Sequence, residues 1–319
     1  MNDVLTKIGE LGIVPVVKIE DAKDAVSLGK ALLSGGLPVA EITFRTVAAE
    51  EAIKQLSQEL PEVLVGAGTV LTVENAKKAV AAGAKFIVSP GFNPKVVGYC
   101  VENNIPVTPG INSPTQIEMA LEHCLEVVKF FPAEASGGLP LLKAMSAPYG
   151  DIKFIPTGGI NANNLNTYLA FPKVHACGGS WMVKADVISA GNFDEITRLT
   201  KEAVATMLGF EFMHLGINEE TAESALDSAN LLSQLFSFSV KEGNSSVFAG
   251  TGFEIMKNKY LGVHGHIAIS TNHIQRAIAY LKRQGIATKP DTVKEMGGKL
   301  KVIYLDVEIS GFAIHLLQK

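Results

Sequence analysis

Residues 125–138 read LEVVKFFPAEASGG, a short apolar run with a lysine in its middle. No acidic residue in the sequence lies closer to Lys129 than Glu126. The run is typical of a buried strand, and side chains alternate between the two faces of a strand. Lys129 therefore shares a face with Val127 and Phe131, where the pattern predicts a protein interior.

Seven similar runs rich in Val and Ile accompany this one. Helical stretches such as AKDAVSLGKALLSGG separate them, at a spacing of about 20 to 27 residues. Such alternation indicates parallel strands joined by crossover helices. Eight units ending near Met207 predict an α/β fold, a TIM (β/α)8 barrel. The runs are IVPVV, VAEIT, VLVGAG, KFIVS, IPVTP, KFIPTGG and VHACGG.

The composition of the whole chain fits such a barrel with a smaller domain appended. The 319 residues are 47% hydrophobic and 19% charged, with 30 glycines and 14 prolines, which suits a large core cut by tight turns. A formal net charge of −4 argues against nucleic acid or an anionic membrane as a partner. No apolar run approaches the roughly 18 residues of a membrane span. Three isolated cysteines predict free thiols and a cytoplasmic location.

Polar residues gather at the ends of the predicted strands, where TIM barrels carry their chemistry. In VAEITFR, Glu41, Thr43 and Arg45 share a face, and the apolar face must meet the helices. We therefore expect these three side chains to point into the barrel with Lys129. In VGAGTVL, Thr69 ends the third strand, where its hydroxyl would help Arg45 to hold a carboxylate.

Two interpretations of the inward lysine are open. One is a buried ion pair with a purely structural role. The other is catalytic, because burial and the nearby Arg45 cation favour the neutral amine, which is the nucleophilic form. Such an amine forms a Schiff base with a ketone, and the iminium accepts electrons from the adjacent bond. With Glu41 moving protons, this is the chemistry of a class I aldolase.

Two glycine clusters end the last two predicted strands. KFIPTGGIN places Thr157, Gly158 and Gly159 after the seventh strand, and CGGSW places Gly179 and Ser180 after the eighth. Glycine lets backbone N–H groups approach an anion closely, and the loops after these two strands commonly bind phosphate in TIM barrels. The sequence therefore predicts a phosphate site.

At this level of detail the chain resembles a known family, the 2-keto-3-deoxy-6-phosphogluconate (KDPG) aldolases, which include 4-hydroxy-2-oxoglutarate (KHG) aldolases. The resemblance covers roughly residues 1–207. It implies a metal-free class I lyase, usually a homotrimer, that cleaves KDPG to pyruvate and glyceraldehyde 3-phosphate. The motifs that carry it are EITFRT, VGAGTV, FIVSPGF, PVTPGI, KFFPAE, FIPTGGI and GGSW.

The resemblance also implies roles for individual residues. The family's Schiff-base lysine matches Lys129, and its acid/base glutamate matches Glu41. The other matched positions are Arg45 and Thr69 for the substrate carboxylate, Pro90 and Phe131 for the pocket wall, and Gly158, Gly159 and Ser180 for the phosphate.

Beyond residue 207 the pattern changes. EFMHLGIN, a helical stretch and three short strands form one βαβββ unit, and GHIAIST begins a second in which the strand before Lys301 is unclear. Residues 208–319 are thus predicted to form a separate α+β domain. The segments HLGI, GHIAI and GFAIHLL resemble motifs of the glyoxalase-like vicinal oxygen chelate family.

That second resemblance implies a divalent metal site. The family often takes one ligand from the first and last strand of each unit. Carried over by position, the ligands are His214, Glu254, His266 and His315, the last in place of a more usual glutamate. Three histidines and a carboxylate suit Zn, Ni, Fe or Mn. The family also has metal-free members, so these histidines are alternatively structural.

Two alternative functions remain open on the sequence alone. Other phosphate-binding barrels, including isomerases and synthases of small metabolites, also carry TGGI loops, although they do not need an inward lysine facing a glutamate. The second domain is alternatively a ligand-binding or oligomerising module without chemistry of its own.

Overall fold

The computed structural model describes residues 1–319, which form two compact units, Met1–Met207 and Leu208–Lys319. In the first unit, strands and helices alternate after an N-terminal helix. The strands are β1 Ile13–Val17, β2 Val39–Thr43, β3 Leu64–Gly68, β4 Ile87–Ser89, β5 Val107–Ile111, β6 Val127–Phe130, β7 Lys153–Pro156 and β8 Cys177–Gly179. The helices are α1 Asp3–Leu11, α2 Ala25–Ser34, α3 Ala49–Glu59, α4 Val73–Ala81, α5 Pro94–Glu102, α6 Pro114–Glu122, α7 Gly138–Ser146, α8 Leu165–Leu169, α9 Ala185–Ser189 and α10 Phe193–Leu208.

The eight strands of the first unit form one parallel sheet. Their order is β7-β6-β5-β4-β3-β2-β1-β8. Single bridges pair Phe154 with Val174 and Thr157 with Gly178, and they bring the β7 segment against the β8 segment. The sheet therefore closes on itself, and the predicted TIM-type barrel is confirmed.

Burial explains why these strands read as unbroken apolar runs. Every residue of β2, β3 and β5 is buried, because helices cover a barrel strand on one face and other side chains cover it on the other. The helices are amphipathic; α3, for example, buries Ile53 and Leu56. Caps fix where several helices begin: Thr72 Oγ1 accepts a hydrogen bond from Asn75 N–H at the start of α4. Because neighbouring strands are parallel, their carboxyl ends lie at one rim of the barrel.

The second unit has its own sheet. Its elements are β9 Glu211–Asn218, α11 Ala222–Phe236, β10 Val240–Glu242, β11 Ser246–Ala249, β12 Phe253–Met256, β13 Gly265–Thr271, α12 Ile274–Arg283, β14 Thr288–Met296, β15 Lys299–Ile309 and β16 Phe312–Gln318. The sheet order is β10-β11-β12-β9-β13-β16-β15-β14.

This sheet consists of two similar halves. Each half has the order strand, helix and three strands, so both are βαβββ units. In each half the first strand pairs in parallel with the last, β9 with β12 and β13 with β16. The two first strands, β9 and β13, pair antiparallel at the centre. The strand that was unclear in the sequence is β14, which lies at one end of the sheet.

Helix α11 packs on the first half of the second unit. Ala225 and Ala229 of the helix are fully buried against Val247, Ala249 and Ile255 of the sheet. Small residues on the helix let it approach the strands closely. Every helix of the chain is too short or too polar to traverse a lipid bilayer.

Candidate functional site

Lys129 and Glu41 meet inside the barrel. Lys129 lies on β6 and Glu41 on β2, and only 6% and 3% of their surfaces are exposed. Lys129 Nζ donates a hydrogen bond to Glu41 Oε1 over 3.2 Å. The same Nζ atom lies 5.5 Å from the centre of the Phe131 ring. The two residues predicted to act as nucleophile and proton carrier are therefore in direct contact.

A glycine on β3 leaves the space that Glu41 occupies. The register of β2 and β3 pairs Glu41 with Gly66 and Thr43 with Gly68. A Cβ atom on Gly68 would lie 2.2 Å from Glu41 Oε1, which is far inside van der Waals contact. Sequence reasoning missed Gly68, although VGAGTVL carried the signal, since it puts small residues on the strand beside Glu41.

Arg45 lies beyond the end of β2. The strand stops at Thr43, and Arg45 follows in a turn with its side chain exposed. Its Nε donates to Thr43 Oγ1 over 3.1 Å, and Thr43 Oγ1 donates to the Val17 carbonyl over 2.7 Å. Glu41 and Thr43 are thus buried as the alternation predicts, whereas Arg45 is anchored at the rim. Its terminal guanidinium nitrogens have no protein acceptor.

Thr69 follows β3 in a left-handed backbone conformation, with φ 56°. This conformation is rare for a β-branched residue and costs on the order of 1–3 kcal/mol. Such strain is frequent in residues that contact ligands. Pro90 comes directly after β4, and Phe131 directly after β6, at the same ends of their strands. The three residues therefore belong to one rim of the barrel.

The turn after β7 presents free backbone donors. Gly158 and Gly159 have positive φ values of 98° and 84°. The carbonyls of Thr157 and Gly158 accept hydrogen bonds from the N–H groups of Ala133 and Glu134, at 2.8 and 3.0 Å. The N–H groups of Gly158 and Gly159 have no acceptor in the protein. Two free N–H groups at one turn suit an anion.

The end of β8 lies beside this turn. Thr157 pairs with Gly178, and a Cβ atom on Gly178 would lie 2.3 Å from Thr157 Oγ1. The Thr157 hydroxyl is buried and donates to the Ile155 carbonyl over 3.3 Å, so it supports the turn. Gly179 is buried, and Ser180 is exposed directly after the strand. The predicted phosphate residues therefore occupy two neighbouring strand ends.

Four side chains converge in the second unit: His214 on β9, Glu254 on β12, His266 on β13 and His315 on β16. Glu254 Oε2 lies 3.0 Å from His214 Nε2 and 3.2 Å from His266 Nε2. The two Nε2 atoms are 3.2 Å apart. One ring nitrogen from each of the three histidines lies within 4.8 Å of the others.

These spacings fit a shared metal ion. Ligand atoms about 2.1 Å from a tetrahedral metal are roughly 3.4 Å apart, close to the distances among Glu254, His214 and His266. Neutral imidazoles and one carboxylate suit a borderline divalent ion. One feature also fits a metal-free network: both imidazoles are placed to donate hydrogen bonds to Glu254 Oε2. The Nδ1 atom of His266 is buried without a hydrogen-bond partner.

The protonation states of His315 and Glu254 favour metal binding. Burial, then the nearby His266 and His214, lower the pKa of His315 to about 4, so its ring is neutral near pH 7. Burial acts to raise the pKa of Glu254, but hydrogen bonds from His214, His266 and Ser246 outweigh it and hold that pKa below its usual range. Neutral imidazole and carboxylate are the forms that coordinate metals.

A cavity of about 650 Å³ lies against the cluster. Strands of both βαβββ halves contribute to its wall. Sequence reasoning did not single out the two lysines and two tyrosines that line it, Lys241, Lys294, Tyr260 and Tyr304, because no motif marks them. Residues lining the cavity beside the four convergent side chains include Met213, Lys241, Phe248, Met256, Lys294, Val302, Tyr304 and Leu317.

Comparison with known proteins gives one consistent result for the first unit. A family model described as KDPG and KHG aldolase matches residues 4–199. The 2-dehydro-3-deoxy-phosphogluconate aldolase of Treponema pallidum is 51% identical over 204 residues, which are 64% of this chain and 97% of that protein. The KHG/KDPG aldolase of Escherichia coli is 42% identical over 192 residues, 60% of this chain and 90% of that protein.

Solved structures agree with this result. The KDPG aldolase of Legionella pneumophila, with pyruvate captured as a covalent carbinolamine intermediate, is 38% identical with a TM-score of 0.61; the match covers 62% of this chain and 97% of that one. The KDPG aldolase of Zymomonas mobilis with 3-phosphoglycerate is 39% identical with a TM-score of 0.59, covering 63% and 95%. The family model ends at residue 199 and leaves the second unit unmatched.

Proposed function

The chain belongs to the KDPG and KHG aldolase family, and on that premise we propose that its first unit is a class I aldolase that works through a Schiff base on Lys129. Its substrate is KDPG, and its products are pyruvate and glyceraldehyde 3-phosphate. The observation that carries the proposal is the contact of 3.2 Å between Lys129 Nζ and Glu41 Oε1 inside the barrel. The isomerase and synthase alternatives are set aside, since family membership indicates a lyase.

The reaction begins with transfer of a proton from the Lys129 ammonium to Glu41. The free amine attacks C2 of the keto acid to give a carbinolamine, the kind of species captured with pyruvate in the Legionella enzyme. Loss of one water from the carbinolamine gives the iminium. Removal of this water needs a proton on the departing hydroxyl, and Glu41 is in position to supply it.

Carbon–carbon cleavage then follows from the iminium. A base removes the proton of the C4 hydroxyl, the C3–C4 bond breaks, and its electron pair moves toward the iminium nitrogen to form an enamine. The aldehyde leaves. Protonation of the enamine at C3 and addition of one water release pyruvate and restore Lys129. Glu41 is the only carboxylate in contact with Lys129, so we assign these proton transfers to it, directly or through water.

The rim residues fit the two anionic ends of the substrate. The free guanidinium nitrogens of Arg45 and the Thr69 hydroxyl are suited to the carboxylate next to C2. The free N–H groups of Gly158 and Gly159, with Ser180, are suited to the phosphate. Pro90 and Phe131 wall the space between. KHG has no phosphate and carries a second carboxylate next to C4, so its cleavage to pyruvate and glyoxylate would not need the phosphate-binding turn; the Escherichia coli relative carries both substrate names.

A coupled assay tests this assignment. Purified full-length chain is given KDPG or KHG, and pyruvate release is followed with a pyruvate-consuming reporter enzyme. We expect turnover of KDPG in the presence of a strong chelator, because the iminium replaces a metal as the electron sink. Absence of pyruvate from both substrates would contradict the proposal. Activity that disappears on chelation would contradict the imine mechanism.

We also infer that the barrel assembles into a homotrimer, as the family resemblance implies. The barrel exposes apolar side chains that such an interface would cover if they lie on it: Val47 is fully exposed, Leu71 is 52% exposed and Leu121 is 44% exposed. Sedimentation equilibrium of the full chain would test this, with a monomeric mass as the contrary result. The three cysteines are free thiols, two of them buried, which supports a reducing compartment such as the cytoplasm.

For the second unit we propose a glyoxalase-like domain that binds one divalent metal through His214, Glu254, His266 and His315. The paired βαβββ halves and the convergence of four ligands from four strands support this. A bound divalent ion would supply a Lewis acid at this site. The metal-free alternative keeps Glu254 as a hydrogen-bond acceptor for two histidines, in a module that binds a ligand or assembles the protein.

Metal analysis of the full chain separates these two readings. We expect about one divalent ion per chain after purification in metal-supplemented buffer. Combined His266→Ala and His315→Ala should abolish it. His264→Ala is the matched control, because His264 is exposed in the same unit and lies outside the cluster. Metal retained by the double variant would contradict the ligand set, and no metal under any condition would favour the metal-free module.

A further inference from the structure

The cavity of the second unit is lined by both ends of its sheet. Lys241 lies on β10 and Lys294 on β14, which are the two outermost strands in the sheet order. Both lysines nevertheless line the same cavity. The sheet must therefore curve until its two edges face one another across the opening. Two lysines from opposite edges thus lie at the boundary of one half-open cavity.

The charges around this space are not balanced. Two carboxylates line the cavity: Glu242 is paired with Lys257 at 2.6 Å, and the single charge of Glu254 accepts hydrogen bonds from the histidine cluster and from Ser246, the latter at 2.7 Å. Lys241 and Lys294 have no carboxylate within ion-pair distance. Two ammonium groups without counter-charges make the opening electropositive.

The rest of the cavity wall is apolar or donates hydrogen bonds. Met213, Phe248 and Met256 give it soft apolar surfaces. Tyr304 also lines the cavity, its ring 4.9 Å from that of His315. The volume of about 650 Å³ is in the range of sites for small organic molecules, roughly 300 to 1,000 Å³. A single inorganic ion is much smaller than the cavity and would contact only a small part of this wall.

We propose that this cavity binds a small organic oxyanion. A carboxylate or phosphate group lies between Lys241 and Lys294 at the opening, and the carbon skeleton lies against Met213, Phe248 and Met256. The inference concerns the ligand's charge and size, and it holds whether or not the histidine cluster carries a metal. The proposed ligand of the second unit is therefore an anion, like the keto acids that the barrel is proposed to cleave.

The methyl groups of Met213 and Met256 report binding in this cavity. The chain has eight methionines, and Met213 and Met256 line the cavity. The full chain is labelled with ¹³C-methyl methionine, and Met213→Leu and Met256→Leu assign the two signals. Two probe pairs are titrated: 3-methylbutanoate against 3-methylbutanamide, and glycerol 3-phosphate against glycerol. None of these molecules has a ketone that could form an imine with Lys129.

We expect at least one anionic probe to move the Met213 and Met256 signals saturably, with its neutral partner binding at least about tenfold more weakly. The pair that responds identifies carboxylate or phosphate as the preferred group. Combined Lys241→Gln and Lys294→Gln should weaken anion binding by about tenfold, because each exposed cation contributes modestly. Lys299→Gln, an exposed lysine of the same unit outside the cavity, should leave it unchanged.

Three outcomes would overturn the proposal. They are equal binding of charged and neutral partners, no change in affinity for the double lysine variant, or no movement of either signal by any probe at high concentration. Repeating the titration after chelation and after metal loading keeps this test separate from the metal proposal. Charge-dependent binding in metal-free protein would support the anion site even if no metal is ever found.

Discussion

Lys129 Nζ and Glu41 Oε1 lie 3.2 Å apart, although 88 positions separate the two residues in the chain. They come from β6 and β2, which are not neighbours in the sheet. Only closure of the barrel brings them together, with both side chains buried. A buried ion pair adds little net stability against an apolar pair of similar shape, which supports a chemical role for this contact.

The space beside Glu41 gives the first prediction. Gly68→Ala would put a Cβ atom 2.2 Å from Glu41 Oε1 and force the carboxylate to move. We expect kcat to fall by about tenfold or more, since proton transfer depends on position. Gly98→Ala is the control, because a Cβ atom there meets open space. Steady-state kinetics with KDPG check the prediction, and an unchanged kcat in Gly68→Ala would show that Glu41 tolerates displacement.

The strained backbone at Thr69 gives the second prediction. Thr69→Gly puts a residue that adopts the left-handed conformation without strain at this position, so the melting temperature should rise by about 2–4 °C. The same change removes the hydroxyl, and KM should rise several-fold. Asn104→Gly, at φ 55° in a loop away from the rim, should change stability in the same direction without changing KM. A stabilised Thr69→Gly enzyme with normal KM would remove Thr69 from the substrate site.

The turn after β7 gives the third prediction. Gly159 has φ 84°, and a Cβ atom there would lie 2.5 Å from Glu134 Cγ. Gly159→Ala should distort the turn and raise KM for KDPG by about tenfold. Cleavage of unphosphorylated KHG should change little. Gly191→Ala, at φ 69° in open space, controls for backbone strain alone. If both substrates lose activity equally, the turn supports the fold rather than the phosphate.

The fold could be predicted from the sequence where strands are buried on both faces. Barrel strands are covered on both faces, so each appears as a short apolar run, and glycines at strand ends marked the rim. β14 could not be predicted with confidence, because Thr288–Met296 is largely exposed and contains Pro290. A strand at the end of a sheet needs hydrogen bonds on one side only and tolerates polar residues and proline.

The site could be predicted in part. Alternation along β2 and β6 was sufficient to orient Glu41 and Lys129 inward. It failed for Arg45, because alternation applies only within a strand and β2 ends at Thr43. Gly68 was missed for another reason. It leaves room for the Glu41 side chain of the neighbouring strand, and the sequence does not show which side chains will lie against a glycine. Lys241 and Lys294 could not be predicted to line one cavity, because only the curvature of the whole sheet brings their two edge strands to the same space.

Half-buried His273 gives a prediction about pH. Burial, then the nearby Arg276, lower its pKa to about 4 from an ordinary value of 6.5, and its Nε2 has no hydrogen-bond partner. Between pH 6.5 and 4 the unfolded chain binds a proton that the folded chain resists, so stability is lost as pH falls through this window. His315 shifts in the same direction, so the comparison with a His273 variant isolates one group.

His273→Asn should therefore flatten part of that slope. Asparagine does not titrate and suits the position before α12. We expect wild-type protein to lose roughly 1 to 2 kcal/mol more than the variant between pH 6.5 and pH 4. Urea unfolding of metal-free protein across this range measures the difference. Parallel curves for the two proteins would mean that His273 takes up its proton over the same pH range in the folded and the unfolded chain.

The most direct test of the imine mechanism is reductive trapping. Full-length chain is incubated with pyruvate and borohydride, digested, and analysed by mass spectrometry for the reduced pyruvate adduct. We expect the adduct on Lys129 in wild-type protein and in Glu41→Gln, whose turnover should nevertheless fall by about two or more orders of magnitude. Lys129→Met should show neither adduct nor turnover. An adduct on any other lysine, or trapping that persists in Lys129→Met, would contradict the account.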